Sequence, residues 1–123
     1  MLFASATPIV SGRTDRYRGL AVELEPHHAE YETLNDRFGV RRHSYWISHA
    51  RDGIDIGVSV YDISEDGLRQ MGTRQWNPGS PYDAWWLGFI HDVNGVNMTQ
   101  EPVHREPPEQ VFAWSRTGTN QTS

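Results

Sequence analysis

At 123 residues and 14.1 kDa the chain can bury one core but not two. A net charge of −5 at pH 7 leaves no basic footprint for nucleic acid. Its 11 basic residues are all Arg, which removes Schiff-base lysine chemistry, and zero Cys removes disulfides, thiolate nucleophiles and zinc knuckles. No stretch approaches the roughly 20 apolar residues of a membrane span, and Met1 to Ala6 lacks the basic start of a signal peptide. A cytoplasmic domain with neither nucleic acid nor membrane as partner is the expectation.

The apolar, β-branched run Leu2 to Val10, ended by Ser11-Gly12, predicts a first strand. From Thr14 the positions Tyr17, Leu20, Ala21, Leu24, His28, Tyr31, Leu34 and Phe38 recur every three to four residues, the stripe of a helix. Gly39 stops it, and Pro26 predicts a break near Glu25, because its ring clashes with the preceding turn and its missing N–H interrupts the ladder. Val40 to Ala50 and Gly53 to Asp62 flank Arg51-Asp52-Gly53, a hairpin signal. A two- or four-residue turn puts Ile54, Ile56, Val58 and Val60 on the face of His43, Tyr45, Ile47 and His49, with Trp46 and Tyr61 opposite; a bulge would reverse this. Ser64 caps a short, weak helix, and Ser80-Pro81-Tyr82-Asp83 opens a stronger one ending near Asn94-Gly95. A proline-rich loop over 101–108 leads to Val111-Phe112-Ala113-Trp114, read as a last edge strand, so that 1–115 is one domain and 116–123 a disordered tail.

The order is that of an α+β, ferredoxin-like βαββαβ fold: an antiparallel four-stranded sheet with helices on one face. Trp46 and Tyr61 on the open face need a cover, which predicts a homodimer joined through them.

Gly39-Val40-Arg41-Arg42-His43-Ser44-Tyr45-Trp46-Ile47, Pro81-Tyr82-Asp83-Ala84-Trp85-Trp86 and His91-Asp92-Val93-Asn94-Gly95 resemble small bacterial proteins of the dimeric α+β barrel superfamily. That superfamily includes cofactor-free antibiotic-biosynthesis monooxygenases and some polyketide cyclases. The resemblance covers roughly residues 2 to 97 and implies a dimeric barrel with a small-molecule pocket between sheet and helices. The chain departs from the pattern in carrying His43 where a carboxylate is expected and Ser80 where a His is common.

His43 and Tyr45, two apart on one strand, share a face about 7 Å apart. An imidazole beside a phenol in an apolar cleft could take a proton from an acidic phenolic or enolic substrate and hold the anion; mutual satisfaction as a buried pair is the plainer alternative. His28 and Tyr31 on the first helix and Trp85, Trp86 and Phe89 on the last are the candidate substrate-binding residues, against plain core packing. His27, His28 and His91 have no metal-ligand spacing, and His49 lies about 20 Å from His43 along an extended strand, so no metal is expected. Asp83 reads as a cap and Asp55 as solvated. The expectation is a small-molecule enzyme without cofactor, an oxygenase or cyclase/isomerase, with His43 as base and Tyr45 orienting an aromatic or polyketide-like substrate; the alternative is a non-catalytic binder.

Overall fold

The computed structural model describes residues 1–77, 79–99 and 109–116. Its strands are β1 (Leu2–Pro8), β2 (Val40–His49) and β3 (Asp55–Ile63). Its helices are α1 (Thr14–Arg18), α2 (Leu20–Leu24), α3 (His28–Phe38), α4 (Glu65–Gly72) and α5 (Pro81–Asn94). The three strands form one antiparallel sheet in the order β1-β3-β2. The protein is thus α+β, and among the described residues its sheet has three strands and not the four expected. The segment expected to supply the fourth has no regular structure over 109–116, with Val111, Phe112 and Trp114 largely exposed. The 101–108 loop and the tail beyond Arg116 lie outside the described residues.

The first helical stretch breaks where Pro26 requires it, in a 3-10 turn over Glu25–His27. A further break at Gly19 separates α1 from α2. Gly39 and Gly95 end α3 and α5 in the left-handed conformation, with φ of 68° and 69°. Ser64 and Ser80 cap α4 and α5 as expected, accepting from the backbone N–H groups of Gly67 and Asp83.

The hairpin corrects the assignment of faces. Its loop has three residues, Arg51-Asp52-Gly53, closed by a hydrogen bond from Ala50 N–H to Ile54 C=O (2.9 Å) and with Gly53 at φ 84°. An odd loop reverses parity, so His43 pairs with Tyr61, Tyr45 with Ser59, Ile47 with Gly57 and His49 with Asp55. Ile56, Val58 and Val60 therefore share the open face with Trp46, and Tyr61 sits on the helix-covered side. Trp46, 61% exposed, keeps the place assigned to it; Tyr61 does not.

Two clusters fill the covered side. Ile9, Tyr17, Leu20, Phe89 and Val93 pack with Tyr45, Ile47, Trp85, Trp86 and Ile90, while Phe3, Phe38, Ile63 and Leu68 pack with Tyr61 and Met71. Among the described residues no helix is long and apolar enough to cross a membrane.

Candidate functional site

β2 is an edge strand, and α1, α2 and α3 pass over its inner face, so their side chains do not close completely on the sheet. The result is a cleft of about 530 Å³ lined by Tyr17, Arg18, Leu20, Ala21, Leu24, Tyr31, His43, Tyr45, Trp46 and Ile47. That volume lies within the usual range for small-molecule sites, roughly 300–1,000 Å³.

His43 is fixed in the cleft wall. Its Nδ1 is 2.8 Å from Tyr31 Oη, its ring stacks on Tyr61 with centroids 3.7 Å apart, and Tyr45 lies 4.3 Å away. Burial raises the Tyr31 phenol above its ordinary pKa, so its hydroxyl keeps its proton at neutral pH and can serve Nδ1 as donor or acceptor. Tyr45 is driven well above its ordinary value, first by burial and then by the neighbouring phenols of Tyr61, Tyr31 and Tyr82. Tyr45 is therefore held as a neutral hydroxyl and not as a base.

All five tyrosines of the chain belong to one aromatic cluster. Tyr17 meets Tyr45 edge-on at 6.3 Å, His43 links Tyr45 to Tyr61, and Tyr31 links His43 to Tyr82. Burial also raises Tyr17 and Tyr82. Gly57 makes this packing possible: a Cβ there would stand 2.8 Å from Tyr17 Cε2 and 2.9 Å from its Oη, so the phenol end of the ring rests against bare backbone.

The other expected binding residues divide. Tyr31 lines the cleft; His28 does not, being exposed with Nε2 3.0 Å from Glu32. The 3-10 turn before α3 resets the helical phase, so His27 takes the inward position and stacks on Trp85 at 5.1 Å. Trp85 donates from Nε1 to Glu23 (3.0 Å) and belongs to the framework. Trp86 and Phe89, nearly parallel at 5.7 Å, line a different space beneath β1 and β3.

The sequence reading missed the polar framework around these rings. Arg16 grips Glu23 through Nε (3.0 Å) and Nη2 (2.9 Å) and reaches Asp92 with Nη1 (2.8 Å), while Arg13 joins the same Asp92. Its hydrogen bonds hold the Glu23 and Asp92 carboxyls below their ordinary pKa. Neither contact has a signal in the sequence: Arg16 and Glu23 are seven apart, beyond the three or four of a helical pair, and meet across the break at Gly19, while Asp92 lies on α5. Asp83 is more than a cap neighbour: its carboxylate is buried against Arg74 and accepts from Asn77 N–H (2.9 Å). Asp55 is part-exposed, as a solvated residue would be, but it is also partnered. It accepts from Thr14 Oγ1 (2.7 Å) and pairs with His49 Nδ1 (2.6 Å), and these bonds lower its pKa.

Among the described residues no group of three or more His, Asp or Glu side chains is placed to hold a metal ion. Comparison with family models, curated proteins and solved structures finds no match for this chain.

Proposed function

We propose that the cleft beside β2 binds a small aromatic or polyketide-like molecule with an acidic phenolic or enolic proton, and that His43 takes this proton. The observation that carries the reading is the Tyr31–His43 pair set in an apolar cleft beside Tyr45, whose phenol burial keeps neutral at ordinary pH. With Nδ1 unprotonated, the step balances in one direction: the ligand's proton passes to Tyr31 Oη as Tyr31 gives its own to Nδ1, leaving an imidazolium and a ligand anion. Tyr45 then donates to the anion, and Arg18, whose Nη1 is held 2.7 Å from Asp15, adds a positive charge in the cleft lining. Such an anion is the starting point of a cofactor-free oxygenation or of a cyclisation or isomerisation.

The same proposal takes the chain as a cytoplasmic, ferredoxin-like dimeric barrel whose two copies meet on the open face of Trp46, Val58 and Val60, with Tyr61 no longer part of that surface. Val111–Trp114 would be the fourth strand in that state. Sedimentation as a monomer would remove this part.

The test of function is turnover of a panel of acidic phenols and enols under air, followed by oxygen uptake and product mass. His43→Ala should lower turnover by about 10²- to 10⁴-fold, the usual contribution of a general base, with an unchanged circular dichroism spectrum. Saturable binding without product in the native protein would favour the non-catalytic binder, and full turnover in the variant would refute His43 as base.

A further inference from the structure

The covered side of the sheet holds a second space, about 300 Å³, between β1, β3 and α5. Phe3, Ser5, Ser59, Tyr61, Trp86 and Met98 are among its lining residues. Tyr17 and Tyr45 line this chamber and the cleft alike, so their edge-to-face rings form a partition between them.

We infer that the chamber is a second binding site, and that its ligand is uncharged, flat and mostly apolar: one or two fused rings carrying a single hydrogen-bonding group. Charge is excluded by chemistry. None of the lining residues is Asp, Glu, Arg or His, whereas the cleft presents Arg18 and His43, and an unpaired charge in such surroundings is costly. Flatness follows from the lining, which includes the nearly parallel rings of Trp86 and Phe89 together with those of Tyr61 and Phe3, because aromatic faces favour stacked ligands. The hydrogen-bonding group has a partner in Ser5 and Ser59. Their hydroxyls are 3.0 Å apart, so one donates to the other and the acceptor's own proton remains for a ligand. The volume lies at the lower end for small-molecule sites and suits a bicyclic molecule.

Indole is the probe for the chamber and a hydroxynaphthoate the probe for the cleft. The chain's three methionines, isotope-labelled at their methyl groups, give the readout by NMR. Indole should shift the Met98 resonance saturably and leave that of Met1, exposed at the start of β1, in place. Hydroxynaphthoate added to indole-saturated protein should bind without displacing it, giving a complex of protein with one molecule of each. Ser5→Phe, which fills the chamber, should weaken indole at least tenfold and leave hydroxynaphthoate affinity unchanged. An unmoved Met98 signal, or indole displaced competitively, would overturn the inference. The wild-type titration decides it even if the variant does not fold. Should hydroxynaphthoate alone fail to bind, the cleft reading falls and the indole titration still decides the chamber.

Discussion

Gly57 is a position where absence of a side chain shapes the site. Its backbone is the floor for Tyr17, and Tyr17 in turn is a wall of both cavities. Gly57→Ala must push the ring away, and overpacking of this kind costs about 1–3 kcal/mol. Urea denaturation should show that loss, together with weaker ligand binding in the cleft; unchanged stability would mean that Tyr17 does not rest there. That His43 and Tyr45 share a face was legible from strand periodicity alone, because i and i+2 always do; which face the helices cover was read through a hairpin parity that the three-residue loop reverses. Tyr31 as the partner of His43 was legible only as a point on the helical stripe. His27 and His28 were read the wrong way round, because a 3-10 turn at Pro26 moves the phase and periodicity carried through it does not.

At the scale of elements, caps and stops followed from local chemistry: Ser64, Ser80, Gly39 and Gly95 act where a side-chain oxygen or a left-handed residue is needed. Parity across the hairpin did not, since it depends on one residue of loop length and Asp-Gly suits loops of two or three. That single residue moved Tyr61 from the open face to the stack on His43. Gly67 shows the same limit. Judged by propensity it only weakens α4; in the fold it lets α4 pack against the end of α3, where an added Cβ would lie 1.9 Å from the Phe38 carbonyl oxygen. Because that neighbour is backbone and cannot swing aside, Gly67→Ala should cost about 3 kcal/mol or more, read as a lowered midpoint in thermal unfolding. A midpoint within a degree or so of wild type would show that α4 does not seat there.

The whole molecule is organised around its buried phenols. Tyr17, Tyr31, Tyr45 and Tyr82 all have pKa values raised above the ordinary value near 10. The unfolded chain therefore releases these protons at lower pH than the folded one, so the native state binds more protons above pH 10 and stability falls as pH rises through that region. Below pH 10 the contribution is intact. Tyrosinate absorbance for these residues should rise together with loss of the far-ultraviolet circular dichroism, in one cooperative step; ionisation near pH 10 with native dichroism retained would contradict their burial. The composition announced none of this clustering, because five tyrosines spread over 66 positions from Tyr17 to Tyr82 meet only once the sheet is paired.

The central claim, that the cleft accepts a proton from an acidic hydroxyl through Tyr31 and His43, can be measured with a nitrophenol whose colour reports its ionisation. At a pH below the probe's own pKa, titration with the protein should give saturable growth of the phenolate band, and His43→Gln should bind the same probe in its neutral, colourless form. Saturable binding with no phenolate, or the same phenolate yield in His43→Gln, would contradict the account.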